Sequence, residues 1–125
     1  KVGLSTSACH RRLQRLFDES IISGVVALIN ERTVRLNLTV FVEIKLMRQV
    51  DEILEEFEKA VCLIPEVLEC HLMAGSADYL LKVVVGATED YEQIHRKYLS
   101  RLPNVLNMTS SFSLRKVYKT TALPI

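Results

Sequence analysis

The chain has 125 residues, 49% of them hydrophobic and 25% charged, and a net charge of +1. That is enough for one compact domain with a real core and little beyond it. No apolar run approaches the roughly 18–20 residues a membrane span needs, and no basic stub precedes an apolar block as in a secretory leader, so a cytoplasmic protein without membrane contact is expected.

The charge is uneven. Residues 1–17 carry Lys1, Arg11, Arg12 and Arg15 and no acid, while the remainder carries twelve bases against fifteen acids. A basic end on a mildly acidic body predicts that the end meets an anion and the body does something else. The first residue is Lys1 rather than an initiator Met, which predicts a trimmed start.

In chain order, Ser5-Thr6-Ser7 is an N-cap cluster, because hydroxyls satisfy the first free N–H groups of a helix. Cys9, Leu13, Leu16 and Phe17 then fall at i, i+4, i+7 and i+8, one apolar stripe. Ser7, His10, Arg11, Gln14 and Arg15 lie off that stripe. "DESIISG" ends the helix, Gly24 suits a turn, and "VVALIN" (25–30) reads as an exit strand. Residues 31–37, "ERTVRLN", read as a linker.

From residue 38 the pattern changes. "LTVFVEIKL" (38–46) alternates with period two, so a strand. Val50, Ile53, Leu54, Phe57 and Val61 repeat at helical spacing, with Pro65 just past the end. Glu52, Glu55, Glu56 and Glu58 make its outer face, a run best read as solvated. "VLECHLMA" (67–74) and "DYLLKVVV" (78–85) are strands joined by the hairpin residues Gly75-Ser76-Ala77. Thr88 is expected to cap a second helix, with Glu89 and Asp90 in its first turn and Arg96, Lys97 and Arg101 further on, matching the helix dipole. Its inner stripe is Tyr91, Ile94, His95, Tyr98, Leu99 and Leu102. "VLNMTSSFSLRKVYK" (105–119) reads as a long last strand before the tail "TTALPI".

The order β-α-β-β-α-β predicts an α+β, ferredoxin-like domain with both helices on one face of a four-stranded antiparallel sheet. The strands read as apolar on both faces, so the uncovered side is expected to pair with a second copy in an isologous dimer. A monomer with a moderately apolar second face is the other reading. Cys9, Cys62 and Cys70 lack metal or disulfide spacing, which fits free buried thiols in a reducing compartment. Cys70 and His71 are neighbours on a strand and face opposite ways, so they do not share a metal. No metal and no cofactor are expected.

Three segments carry a family resemblance. "GLSTSACHRRLQRLFDESIISGVVALIN" resembles the recognition helix and exit strand of the leucine-responsive/asparagine-regulator (Lrp/AsnC, feast/famine) transcription regulators. "ECHLMAGSADYLLKVVV", with Gly-x-x-Asp-Tyr after His-Leu, resembles that family's effector-domain hairpin, and "LPNVLNMTSSFSLRKVYKTTALPI" its closing strand and tail. The resemblance implies that residues 1–30 are the C-terminal part of a winged or other helix-turn-helix DNA-binding domain, whose recognition helix spans about 5–19 and whose earlier helices would lie upstream. It implies a ligand-sensing and oligomerisation domain at 38–125, with dimers assembling into tetramers or octamers.

Two sites follow. A recognition helix puts its N-terminal residues on base edges in the major groove. Ser5, Thr6, Ser7, His10 and Arg11 hold that end, while Arg12 and Arg15 suit phosphate. The plain alternative is a solvated basic face. An amino acid effector offers an ammonium, which a carboxylate can pair, and a carboxylate, which N–H groups at a Gly turn can hold. Gly75, Ser76 and Asp78 could supply both, with hydroxyls from Thr109, Ser110 and Ser111 and apolar contact from Leu72. Asp78 read plainly is a turn carboxylate, and Tyr79, also placed at the site, is alternatively packed in the sheet. A stand-alone amino-acid-sensing module without DNA contact remains a second reading. An enzyme is not expected: His10, His71 and His95 lie on different elements and no nucleophile–base pair is evident.

Overall fold

The computed structural model describes residues 5–125. Lys1 of the basic end, and Gly3 and Leu4 of the family motif, lie outside the described residues. The chain divides into two compact units, with the boundary between Asn30 and Glu31.

The first unit is built on helix α1 (Thr6–Asp18). Ser5 is its N-cap, and the Ser5 Oγ accepts a hydrogen bond from the Ala8 amide at 3.1 Å. The helix stops at Ser20, which takes the left-handed conformation (φ 62°). The Ile21 amide then reaches the Leu16 carbonyl at 2.9 Å and the Ser20 amide the Phe17 carbonyl at 3.0 Å. This is a Schellman closure, so the stop falls ahead of Gly24. Leu16 and Phe17 are half-buried, Leu13 and Cys9 are exposed, and no α1 residue is buried. The strand expected at residues 25–30 does not form among the described residues; the segment is irregular and exposed. Its composition suits a strand, but a strand needs a partner for its backbone groups, and none of the described strands pairs with it.

The second unit opens with a turn over residues 31–36, closed by Arg35 N–H to the Arg32 carbonyl (3.1 Å) and Leu36 N–H to the Glu31 carbonyl (2.8 Å). Then follow β1 (Leu38–Leu46), α2 (Asp51–Val61), β2 (Val67–Leu72), β3 (Tyr79–Val85), α3 (Thr88–Lys97), a short 3-10 turn (Leu99–Arg101) and β4 (Val105–Phe112). The sheet order is β2-β3-β1-β4 and every pairing is antiparallel, the split βαβ arrangement.

Alternation decides which side chains enter the core. Val40, Val42, Ile44 and Leu46 of β1, and Tyr79, Leu81, Val83 and Val85 of β3, point to one face and are buried. Phe57 and Val61 of α2 and Tyr91 of α3 close over them, with Ile64, Leu99 and Leu102 from the following turns. Burying a side chain of this size contributes about 1.5–3 kcal/mol, so the unit is held chiefly by this one layer.

Four expectations are corrected. The outer face of the sheet is mixed rather than uniformly apolar. Phe41, Leu80 and Val84 share it with Thr39, Glu43, Lys45, Glu69, His71, Lys82, Asn107, Thr109 and Ser111, as the strand register dictates. The last strand ends at Phe112 rather than at residue 119: its register with β1 stops at Val40↔Phe112, and Ser113 N–H makes the final bond to the Thr39 carbonyl (2.9 Å). Ala87, not Thr88, is the N-cap of α3; Thr88 is its first helical residue and its hydroxyl bonds Glu89 (2.7 Å). All three cysteines are on exposed residues: Cys62 follows the end of α2, and Cys70 sits on the edge strand β2, where the covering helices do not close. Cys70 and His71 do face opposite sides, opposite Leu81 and Leu80. Among the described residues no helix is long and apolar enough to cross a membrane.

Candidate functional sites: a hairpin cleft and a basic helix

The connection between β2 and β3 is wider than a tight hairpin. It runs from Met73 to Asp78 and is closed by Met73 N–H to the Asp78 carbonyl at 2.8 Å. A Cβ at Gly75 would meet only open space, and the residue has no left-handed φ, so a glycine is not required for the turn. The Asp78 amide donates to the Ile44 carbonyl (2.8 Å), which fastens the turn to β1.

On the outer face, between this turn and the start of β4, lies a cleft of about 390 Å³ lined by Glu43, Lys45, Ser76, Ala77, Leu106, Asn107 and Thr109 together with Ile44. Glu43 and Lys45 project from β1 to the same side because they are two residues apart on a strand. Asn107 and Thr109 stand opposite them, paired Lys45↔Asn107 and Glu43↔Thr109. A register shift follows at Lys45/Leu46, where β4 carries one residue more than β1. Leu106 is that extra residue, and it enters the cleft.

Of the effector residues read from sequence, Ser76 and Thr109 meet in this cleft. Ser111 lies on the same outer face, two residues further along β4 opposite Phe41. Gly75 is exposed on the turn. Ser110 points to the helix side, where its hydroxyl bonds the Tyr91 hydroxyl. Leu72 is paired with Tyr79 on the helix side and is exposed. Tyr79 is buried, stacked on Phe57 with centroids 4.6 Å apart, and its hydroxyl donates to Glu58. Burial, and then this bond to Glu58, raise its pKa well above the usual tyrosine range.

Asp78 stands behind the cleft. It is only 8% exposed. Its Oδ2 accepts from the Leu46 amide (2.8 Å) and from Gln49 Nε2 (3.0 Å), and its Oδ1 lies 3.6 Å from Lys45 Nζ. Burial opposes its ionisation, but the Leu46 amide, Gln49 and Lys45 together outweigh burial and hold the carboxyl below the usual carboxylate range.

Sequence reasoning missed Glu43 and Lys45. The available signal was a carboxylate and an ammonium at alternate positions of an otherwise apolar strand. What it lacked was the strand order that sets β1 beside β4 and the turn.

The basic helix has its own geometry. Ser5, Thr6, Ser7, His10, Arg11, Arg12 and Arg15 are all exposed. One turn separates Arg11 from Arg15, so the two guanidinium groups share a face. Gln14 and Asp18 bond each other at 3.1 Å beside it. Among the described residues no three His, Cys, Asp or Glu side chains gather as a metal site would require.

Comparison with known proteins gives these features a family. Residues 39–123 match the Lrp/AsnC ligand-binding domain. An HTH-type transcriptional regulator of Sinorhizobium fredii is 44% identical over 117 residues, 94% of this chain and 92% of that protein. The crystal structure of an AsnC family transcriptional regulator from Agrobacterium tumefaciens superposes with a TM-score of 0.89 at 35% identity, covering 98% of this chain and 80% of that one. A transcriptional regulator of Neisseria meningitidis, solved as its L-Met complex, superposes with a TM-score of 0.88 at 33% identity, covering 98% of this chain and 79% of that one. These relatives are regulators of transcription rather than enzymes. With a matched ligand-binding domain, a ferredoxin-like sheet and relatives spanning nearly its whole length, the chain belongs to the Lrp/AsnC family of transcriptional regulators.

Proposed function

We propose that this chain acts as a DNA-binding transcriptional regulator in the cytoplasm, and that its assembly and operator affinity respond to an amino acid bound in the cleft beside the 73–78 turn. The observation that carries the reading is the cleft itself, inside the segment matched to a ligand-binding domain: it presents a carboxylate and an ammonium on neighbouring positions of β1. Glu43 pairs the effector's ammonium and Lys45 its carboxylate, charge-assisted contacts that fix a zwitterion's orientation. Ser76, Asn107 and Thr109 add polar contacts, Ala77 and Leu106 an apolar wall. The cleft's size is within the range of small-molecule sites.

The remaining parts follow the same logic. Ser5, Thr6, Ser7, His10 and Arg11 contact bases, and Arg12 and Arg15 phosphate, each neutralised phosphate adding about −0.9 to the slope of log affinity against log salt. Phe41 and Leu80 centre a dimer contact on the outer sheet face, and dimers associate further into tetramers or octamers. An effector then acts by binding one assembly better than another, with a coupling of about 1–3 kcal/mol. The second reading is a sensing and oligomerisation module without DNA contact.

A thermal-shift screen of the twenty common amino acids tests the cleft, since a ligand that binds only the folded form raises the midpoint. At least one amino acid should raise it, and Glu43→Gln or Lys45→Met should abolish the rise. No rise with any of the twenty refutes the amino acid reading. On DNA, Arg11→Ala should cost about 1–3 kcal/mol at an operator; the same loss on every sequence demotes Arg11 to a phosphate contact, and no DNA affinity at all leaves the sensing module.

A further inference from the structure

We infer that Asp78 is a positioning residue: it does not touch the effector but holds Lys45 over the cleft and ties both cleft walls to the segment that leads into α2. This rests on the amino acid reading of the cleft.

The argument starts from the lone pairs of one carboxylate. Asp78 Oδ2 already accepts from the Leu46 amide and from Gln49, and Oδ1 faces Lys45. A carboxylate has about four acceptor sites, and this one is almost wholly removed from water. Both acceptor sites of Oδ2 are taken, so an effector ammonium could reach only Oδ1, where it would shed its water and stand against the like charge of the Lys45 ammonium. Glu43 carries no such burden: it is exposed and lines the cleft directly.

Lys45 is shared between the two. It lines the cleft, and its ammonium has Asp78 on the other side. A flexible lysine loses rotamer freedom when it grips a ligand. A fixed anion behind it restricts that freedom beforehand and aims the charge.

The node also reaches beyond the cleft. Gln49, which donates to Asp78, is within 3.4 Å of the Leu46 carbonyl and lies two residues before α2. In the same segment the Met47 amide donates to the Asn104 carbonyl at 2.8 Å, just before β4 begins. Residues 46–49 therefore fasten both the turn that carries Ser76 and Ala77 and the β4 start that carries Leu106 and Asn107. Movement at either wall is passed to the entry of α2 through bonds that are all in place in one chain.

The test compares Asp78→Asn, which keeps the shape and loses the charge, with the wild type and with Lys45→Met. Without ligand, NMR relaxation of the Lys45 side chain should report a loss of order in Asp78→Asn. With L-methionine as probe in calorimetry, Asp78→Asn should weaken binding about 5- to 30-fold. It should weaken the des-amino analogue, 4-(methylthio)butanoate, by the same factor. The effect should vanish for L-methioninamide, which lacks the carboxylate, and in a Lys45→Met background. A variant that weakens L-methionine and spares the des-amino analogue overturns the inference, because Asp78 then pairs the ammonium directly. An unchanged Lys45 order overturns it whatever binds. Failure of the wild type to bind L-methionine or any other common amino acid counts against the cleft reading instead, so the two failures are told apart.

Discussion

Helices α1 and α2 have the same kind of sequence, a stripe of apolar residues at helical spacing with charge on the other side, and they end in opposite situations. In α2 the stripe is covered: Phe57 is fully buried against Tyr79, and Val61 is buried beside it. In α1 the stripe of Cys9, Leu13, Leu16 and Phe17 is exposed or half-buried and contributes no buried residue. A helix of 13 residues is marginal in water by itself, because most helical stability comes from packing an apolar face. An amphipathic pattern therefore reports a demand for cover; whether the demand is met is a separate, tertiary fact. In one unit it is met internally and gives a core. In the other it is not met by the described residues, and the opposite face carries Arg11 and Arg15.

That contrast can be broken most sharply by truncation. Phe57→Ala should destabilise the sheet unit by about 3–5 kcal/mol, read by urea denaturation, whereas Leu13→Ala should cost under about 1 kcal/mol, since little apolar area is lost. Equal costs would mean that α1 is packed as tightly as α2. A smaller effect comes from Gly86. A Cβ there would stand 2.8 Å from the Arg35 carbonyl oxygen and 3.0 Å from Asp90 Oδ2. Gly86→Ala should cost about 1–3 kcal/mol through this crowding, while Gly75→Ala, with open space around it, should leave the denaturation midpoint unmoved.

The smallest expected effect is on pH. Asp78 belongs to the sheet unit and its carboxyl is held below its ordinary value in the folded state. Its contribution is then complete above the unfolded pKa of about 3.9 and fades as the pH falls through the lower folded value. Cys70 works in the opposite direction: the residue is open on its edge side, but α2 flanks its thiol, and that partial burial, with Glu58 adding to it, pushes the thiol up to about 11. Its contribution is complete below the ordinary thiol value and fades as the pH rises toward 11. The denaturation midpoint should fall at both ends, and Asp78→Asn should flatten the acid limb alone.

The βαββαβ order was legible because each element carries its own period, and periods survive without knowledge of the partner. Val40, Val42 and Ile44 could be assigned to one face from alternation alone. What failed were properties that belong to pairs of elements. "VVALIN" has strand composition, yet it pairs with no described strand. "SLRKVYK" follows β4 with no breaker between them, yet the ladder to β1 stops at Val40↔Phe112. Cys70 lies on the helix side of the sheet and is still exposed, because it is on the edge strand. The candidate site was legible in part for the same reason. Thr109, Ser110 and Ser111 are consecutive hydroxyls in the sequence, but alternation sends Ser110 to Tyr91 on the far face. Asp78 was legible as a carboxylate at a turn; that Leu46, Gln49 and Lys45 would converge on it was not, since they come from 29 to 33 positions earlier in the chain.

The extra residue in β4 has a consequence for how such a cleft can change over time. By interrupting the alternation it places Leu106 among Asn107 and Thr109, so that one wall is half aliphatic and half polar. Position 106 makes no demand on the core and its side chain is 60% exposed. If the cleft takes an amino acid as proposed, replacement there by a larger, smaller or charged side chain would change which one it prefers while the scaffold stays as it is.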